Sequence, residues 1–354
     1  MRQRGRQAII ARKLEWHAGG CRELGSPLYA RLLKRTAADV REGGLCWGIL
    51  QGHEMSPVGM VGALPLRFMA SVHRIVLEGR APGLAAHYPS AGGVAGDSDP
   101  WPVFVATLEE HRDELRAMLE LPEQTNEVGR SAALLGGFMI AAGAARLPIR
   151  QFEPGASAGL NLRWDRYRYE TRDAGWGDPD SPVRLSDAFV DRVPRLDSGV
   201  RVVDRAGCDA APLDPRSPDD RLTLTSFIWA DQPERIERLK GAMDVAARVP
   251  AAVERADAVE WTAAQLGRLH PGAVTILFHS FFVRFLEPDE RDRLASVIAE
   301  AGRGASDRAP LAWLRMEGGL FRAEVRMTMW PGGRERLLAI SDAYGRRIRW
   351  LDQR

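Results

Sequence analysis

The spacing of apolar residues changes near residue 148, and this change constrains the fold more than any other feature of the sequence. Before it, apolar residues recur at helical spacing. In "SPLYARLLKRTAADVREGG", for example, Ser26 can cap a helix, Pro27 suits its first position and Gly43 can end it. After it, short apolar runs alternate with helical stretches, which is typical of an α/β fold with a mostly parallel sheet.

We therefore predict two domains, an all-helical one over residues 1–147 and an α/β one over residues 148–354. The run "IRQFE" predicts the first strand, and the almost continuously apolar "AVTILFHS" predicts a central strand covered on both faces. The last apolar runs follow one another without a helix between them, which predicts antiparallel strands at the end of the sheet. An insertion at about 163–199 separates the first strand from the second.

Composition excludes several classes of protein. The chain of 354 residues interleaves 49 basic and 47 acidic side chains, so no basic stripe for a nucleic acid stands out. Its 3 cysteines are far apart and none has metal-ligand spacing, so we predict no metal site. No run reaches the roughly 18 apolar residues that span a bilayer. The start of the chain lacks the apolar stretch of a signal peptide. We expect a cytoplasmic protein that acts on a small molecule, without nucleic-acid or membrane partners.

The stretch "QFEPGASAGLNL", residues 151–162, is compatible with two chemistries. As G-x-S-x-G it would expose Ser157 as the nucleophile of a serine hydrolase. A triad would then combine it with one of Asp209, Asp231 or Asp257 and with His279 or His270. Two features disfavour this interpretation: a nucleophile normally follows a strand in the middle of a sheet, whereas "IRQFE" is the first one, and His279 ends a strand that further strands follow.

The second interpretation is a cofactor loop. Glu153 falls at the carboxyl end of the first predicted strand, where open α/β sheets bind ligands. Gly155 and Gly159 would let the backbone approach a ligand, and a helix beginning at about Ser157 would favour a carboxylate or phosphate. Acidic residues also end later strands, Asp209 in "GCD" and Asp257 in "RADA". Such carboxylates can accept hydrogen bonds from ribose hydroxyls and from an adenine amino group.

Four motifs in this order resemble the class I S-adenosylmethionine-dependent methyltransferases: "FEPGASAG", "GCD", "RADAVEW" and "ILFHSFF". The resemblance covers about residues 148–354 and implies a Rossmann-like methyltransferase sheet, mostly parallel with an antiparallel last strand. It also implies S-adenosylmethionine as cofactor. The cofactor-binding residues that it implies are Glu153, Gly155, Ala156, Ser157, Gly159, Asp209, Asp257 and Ala258.

By the same resemblance, His279 would be the catalytic base toward the methyl acceptor, with Ser280 beside it. A hydrogen-bonded structural histidine is the alternative at this position. The pattern departs from the methyltransferases in lacking G-x-G-x-G and in placing Pro154 at the strand end. The insertion leaves the register of the second strand open, so Asp231 competes with Asp209 as the ribose ligand.

Polar residues also open an otherwise apolar helix in "QTNEVGR". They are either a plain helix start, capped by Thr125 or Asn126, or a wall of the cofactor or substrate pocket. The predicted wall residues are Gln124, Asn126, Glu127, Arg130, Asn161 and Ser280.

A second resemblance runs nearly end to end. Stretches such as "GSPLYARLL", "QTNEVGR", "GASAGLNLRWDRY" and "LAWLRME" resemble an uncharacterised bacterial family of unknown function. The function that we predict is methyl transfer from S-adenosylmethionine to an oxygen or nitrogen of a small molecule. The alternatives are the serine hydrolase and a sensor that binds the cofactor without turning it over.

Overall fold

The chain folds as a mixed α/β protein with a helical N-terminal region. Its structure, a computed structural model, describes residues 2–54, 63–96, 98–172, 174–197 and 199–352. Contacts group the chain into two compact units, each made of two segments. Met1–Thr125 groups with Pro218–Glu237, and Asn126–Ser217 groups with Arg238–Arg354. Two segments thus group differently from the domains that apolar spacing predicts. Residues 126–147 group with the sheet, and residues 218–237 group with the first unit.

The first unit contains helices and no strand in its described residues. Its first seven helices are α1 (Arg2–Glu23), α2 (Pro27–Glu42), α3 (Leu45–Leu50), α4 (Ala63–Leu77), α5 (Pro82–Ala85), α6 (Trp101–Glu110) and α7 (Arg112–Met118). Within the described residues of the whole chain, no helix is both long and apolar enough to cross a bilayer.

Helix α2 has the boundaries that its sequence predicts. It begins at Pro27, and Gly43 ends it with a φ of 76°, a left-handed conformation that glycine adopts without strain. Ser26 precedes the helix, but its hydroxyl donates to Asp231 and does not cap the helix. Asp231 itself accepts from the Leu28 amide at 3.0 Å. The helix cap is therefore a carboxylate some two hundred residues away in sequence, within the same unit.

The second unit begins with α8 (Arg130–Ala145), and an eight-stranded sheet follows. Its sheet strands are β1 (Ile149–Pro154), β5 (Val202–Asp209), β6 (Ala252–Arg255), β7 (Val274–Ser280), β8 (Leu311–Gly318), β9 (Ala323–Trp330), β10 (Arg334–Ser341) and β11 (Arg349–Trp350). The insertion contributes β2 (Arg168–Glu170), β3 (Gly175–Trp176) and β4 (Arg184–Ser186), which form a separate three-stranded sheet. The remaining helices are α9 (Pro218–Ser226) in the first unit, α10 (Pro233–Arg248), whose start belongs to the first unit, α11 (Ala258–Leu266) and α12 (Pro288–Arg303).

The strand order of the large sheet is β11-β10-β9-β8-β7-β1-β5-β6. All pairs from β6 to β8 are parallel, and β9, β10 and β11 add antiparallel pairs. This confirms the predicted mostly parallel sheet with an antiparallel end. After β1 the chain adds β5 and then β6 on one side, and afterwards β7 and β8 on the other. The order therefore reverses between β1 and β7, and ligands bind at the carboxyl ends of strands beside such a reversal.

Alternation of side chains along β7 shows which helices cover each face of the sheet. Phe278 packs edge-on against Phe138 of α8, with ring centroids 5.0 Å apart. Its neighbour Leu277 joins the opposite core, which includes Trp261 of α11 and Leu294 of α12. Helix α8 therefore covers one face, called here the α8 face, and α11 with α12 cover the other.

Gly155, directly after β1, tests how tightly this end of the sheet is packed. Its φ is 71°, and a Cβ atom there would lie 2.2 Å from Cδ2 of Phe282. We expect Gly155→Ala to lower the free energy of unfolding by about 2–5 kcal/mol, which combines left-handed strain with overpacking. Gly272 is the matched control, because its φ is 88° and a Cβ atom there would have no neighbour within 4 Å beyond the adjoining residues. Gly272→Ala should cost only about 1–2 kcal/mol in denaturant unfolding. Equal losses would contradict the packing argument.

Candidate functional site

Glu153 is the most unusual polar residue of the second unit. It ends the central strand β1 beside the reversal in strand order, and its side chain is 2% exposed. Its Oε2 atom has no hydrogen-bond partner among the described residues. Burial raises the pKa of the Glu153 carboxyl well above its usual range. A buried carboxyl oxygen without a hydrogen-bond partner costs stability, and a ligand site is one place where such an oxygen is found.

Three charged groups interact electrostatically with Glu153. The guanidinium groups of Arg163 and Arg130 lower its pKa, and the Asp209 carboxylate raises it, but burial outweighs all three. Strand register explains why Asp209 lies on the same face: Glu153 pairs with Gly207, and Asp209 is two residues further along β5. The four side chains form a cluster on the α8 face, at the carboxyl end of the sheet.

Arg130 is the first residue of α8 and is 6% exposed. Its Nε donates to the Ala343 carbonyl at 3.0 Å, and its Nη1 lies 3.4 Å from the Ser280 carbonyl. The guanidinium also stacks over the Phe281 ring, 4.6 Å from the ring centroid. Burial lowers the pKa of Arg130 to about 10, so the group stays positively charged at neutral pH. Arg163 is buried too, and it donates to the carbonyls of Gly159 and Val249 at 2.6 and 3.0 Å.

The loop after β1 makes a tight turn. Gly155, Ser157 and Gly159 all have positive φ values, 71°, 52° and 65°. For a serine this conformation is strained, and it is stabilised here because Asp209 accepts from the Ser157 amide at 2.8 Å. The sequence suggested that the two glycines let the backbone approach a ligand. At Gly155 the neighbour is instead Phe282, whose aromatic ring occupies the space that a side chain would fill.

The helix predicted to begin at about Ser157 is absent, and this corrects the expectation of an anion site at its start. A 3-10 helix of seven residues, Leu160–Arg166, follows the loop. Ser157 and Gly159 have left-handed φ values, which a right-handed helix does not accommodate, and other groups bind the amides of the turn. Asp209 accepts from Ser157, and Asn126 accepts from Leu160 at 3.0 Å. Ala156 and Ala158, on either side of Ser157, are buried within the loop.

Apart from Glu153, the acidic residues predicted to hold the cofactor have structural partners. Asp209 is half-buried and accepts from Ser157 and, through its other oxygen, from Ala211 at 2.9 Å. Asp257 is exposed and caps α11: its Oδ1 accepts both the Val259 and Glu260 amides at 2.9 Å, just beyond half-buried Ala258. Asp231 caps α2 in the first unit, and Asp209 is the carboxylate that interacts with Glu153.

His279 lies on the face opposite Glu153, because it alternates with Phe278 and Ser280 along β7. Trp313 donates its indole N–H to Nε2 at 3.0 Å. Since an indole can only donate, the ring proton is on Nδ1, which donates to Glu317 at 2.7 Å. The ring is 0% exposed. Both nitrogens are thus engaged in a structural network, and the geometry does not suit the catalytic role that the resemblance implies.

The predicted pocket wall is brought together only in part. Asn161 accepts from the Ser131 hydroxyl at 2.7 Å, and its amide donates to the Glu127 carbonyl at 3.3 Å. Glu127 accepts from the Gly129 amide at 3.0 Å at the start of α8. These contacts join the 3-10 helix to α8 beside the cluster. Gln124 is buried and belongs to the first unit.

Sequence reasoning missed the roles of three residues. Trp313 and Glu317 orient His279, and Phe282 covers the glycine loop. The alternation of side chains along a strand could have revealed the face of His279. In "AVTILFHS", His279 shares a face with Leu277, whereas Ser280 shares the other face with Phe278. Arg163, two residues after the predicted wall residue Asn161, lies beside the glycine loop and interacts with Glu153.

Comparison with known proteins assigns the family. The family model described as "Uncharacterized protein conserved in bacteria (DUF2332)" matches residues 11–350. The chain belongs to this family. No curated protein and no solved structure matches the chain. The near-full-length resemblance to an uncharacterised bacterial family is therefore confirmed, and the family's description carries no activity.

The raised pKa of Glu153 predicts a pH dependence of stability. In the unfolded chain this carboxyl loses its proton near pH 4.3, whereas the folded protein holds the proton to higher pH. The folded state therefore binds more protons, and its free energy of unfolding falls as pH rises above about 4.3, by up to about 1.4 kcal/mol per pH unit. Glu153→Gln lacks this loss.

Denaturant unfolding between pH 5 and pH 8 measures the effect. The stability of Glu153→Gln relative to the natural chain should increase with pH. Glu254→Gln is the control, because Glu254 on β6 is an exposed carboxylate of the same unit. A difference between Glu153→Gln and the natural chain that stays constant with pH would rule out the raised pKa.

Proposed function

We propose that the second unit is a Rossmann-like methyltransferase, which binds S-adenosylmethionine and methylates an oxygen or nitrogen of a small molecule. The observation that carries the proposal is Glu153, buried at the end of β1 with an Oε2 atom that no described residue binds. It lies beside the reversal in strand order, where α/β sheets bind ligands. A ligand with hydrogen-bond donors, such as the cofactor's amino group, would satisfy it.

Carboxyl groups at the ends of three adjacent strands suit the donors of this cofactor. Glu153 would accept from the methionyl amino group, Asp209 from the ribose hydroxyls and Asp257 from the adenine amino group. Each carboxylate oxygen has two acceptor positions, so Asp209 keeps capacity beyond its two backbone bonds. Asp257 uses only Oδ1 for its cap. S-adenosylmethionine would supply the methyl group.

The chain's own contribution would be binding and orientation. Holding an acceptor atom in line with the transferred group can provide roughly 7–11 kcal/mol of the barrier reduction. Ala156, Ser157 and Ala258 would line the cofactor through their backbone. We assign no general base, because the two nitrogens of His279 bind Trp313 and Glu317 on the other face.

A serine hydrolase is the second candidate, and the strained φ of 52° at Ser157 favours it. The geometry of the same unit opposes it. His279 has no free nitrogen, and His270 precedes β7, at the amino end of the strand rather than at the carboxyl end. Within this unit, the described residues therefore provide Ser157 with no histidine base.

Ligand-dependent thermal unfolding tests the methyltransferase. S-adenosylhomocysteine at about 100 times its dissociation constant should add about 2.7 kcal/mol to the free energy of unfolding. We expect a higher midpoint with S-adenosylhomocysteine and S-adenosylmethionine, but not with NAD. Glu153→Gln should weaken binding about 10- to 100-fold, the value of one hydrogen bond to a charged group.

Glu254→Gln, an exposed carboxylate of the same unit, should bind both adenosyl ligands like the natural chain. Absence of any shift with either adenosyl ligand would refute the proposal. Binding without methyl transfer to any acceptor would favour the sensor instead.

A serine-reactive fluorophosphonate probe tests the hydrolase. We expect no labelling of Ser157, because the described residues of its unit offer it no base. Labelling that Ser157→Ala abolishes and Ser280→Ala retains would establish the hydrolase in place of the methyltransferase.

A further inference from the structure

Arg130 is a buried cation that forms no close ion pair with the described residues of its unit. The Glu127 carboxylate attracts it electrostatically, but not as a close pair. No carboxylate of these residues lies within 4.0 Å of its guanidinium, and its Nη2 donates no hydrogen bond to any of them. Its two bonds go to main-chain carbonyls, and the one from Nη1 is long at 3.4 Å. By contrast, buried Arg205 makes two bonds to Asp165, at 2.9 and 3.0 Å.

This arrangement is costly, since a buried charge is normally paired. Stacking over Phe281 offsets a part of the cost. Phe281 itself has a φ of 53°, a strained conformation for an aromatic residue. Two unfavourable features, a buried cation without a close ion pair and a strained residue beneath it, thus coincide at the carboxyl end of β7. Such features are concentrated at ligand sites.

We propose that Arg130 binds an oxyanion, a carboxylate or a phosphate, carried by the methyl acceptor. The substrate class would then be small anionic molecules. A planar guanidinium with free donors binds both oxyanions well, and often through two parallel hydrogen bonds. Assignment of the anion to the acceptor rests on the proposed function, whereas the anion site itself does not.

The position of Arg130 in the sheet separates it from Asp209, the proposed ribose ligand. It contacts the end of β7 through Ser280 and the chain after β10 through Ala343. Asp209 ends β5, on the other side of β1. Neighbouring strands are about 4.8 Å apart, so β5 and β7 differ by about 10 Å. A nucleoside bound at β5 leaves the β7 side to the second substrate.

The experiment is calorimetric titration of the full chain with three probes: inorganic phosphate, S-adenosylhomocysteine, and 5′-methylthioadenosine, which has the nucleoside but no carboxylate. Arg130→Gln removes the cation. Arg150→Gln is the control, because Arg150 lies in the same unit on β1 and pairs with Asp204 away from the cluster. Arg130→Lys keeps the charge, and circular dichroism verifies that each variant is folded.

We expect phosphate to bind the natural chain and Arg150→Gln equally, and Arg130→Gln at least 10-fold more weakly, with Arg130→Lys between them. S-adenosylhomocysteine and 5′-methylthioadenosine should each bind Arg130→Gln with a dissociation constant within about threefold of that for the natural chain. Unchanged phosphate affinity in Arg130→Gln would overturn the anion site. A 10-fold loss for S-adenosylhomocysteine but not for 5′-methylthioadenosine would overturn the assignment to the acceptor, because Arg130 would then hold the cofactor's carboxylate.

Failure of the proposed function has a different signature. Neither adenosyl ligand would bind the natural chain, while phosphate binding would still depend on Arg130. That result supports the anion site and rejects the methyl acceptor as its ligand.

Discussion

Pairing of β1 with β5 on one side and β7 on the other determines which side chains meet at the carboxyl end of the sheet. Its register puts Glu153 opposite Gly207, and it brings Asp209 to the same face two residues later. The small Gly207 lets the loop after β1 fold close, since a Cβ atom there would lie 2.7 Å from that of Ala156. A one-residue slip of β1 would turn Glu153 to the opposite face and disperse the cluster.

The cluster is electrically unbalanced. Burial drives Glu153 toward its neutral form, while Arg130 and Arg163 remain cationic because the pKa of a guanidinium lies far above neutral pH. The carbonyl groups that they bind carry no net charge, and Glu127 attracts Arg130 without forming a close pair with it. Asp209 is the one carboxylate that interacts with Glu153 among the residues that the structure describes, and its oxygens hold the Ser157 loop. The cluster therefore favours ligands with an anionic group near Arg130. This is the physical link between the buried carboxyl and the substrate class that we propose.

Strain accompanies this imbalance. Ser157 and Phe281 both adopt left-handed φ values in the segments that follow the neighbouring strands β1 and β7, and each costs roughly 1–3 kcal/mol. Packing on both faces of the sheet stabilises them, with Phe282 against Gly155 and Phe138 stacked on Trp164 at 4.1 Å. The energetically costly features of the unit thus lie at the carboxyl end of the sheet, and the apolar core on both faces offsets their cost. Strained residues and buried charges collected at the carboxyl ends of strands are typical of ligand sites.

Most strands, and the mostly parallel sheet with its antiparallel end, could be predicted from the sequence. Short apolar runs of four to eight residues carry a strong local signal for strands. Glu153 could be placed at a strand end for the same reason. The partners of the polar side chains could not be predicted in this way. Asp231 caps a helix some two hundred residues before it, and Trp313 occupies a nitrogen of His279. These bonds depend on how distant segments meet, so spacing within one segment does not reveal them. The alternation of side chains along a strand does predict which face each residue occupies, however. Along β7 it places His279 on the face opposite that of Ser280 and the cluster.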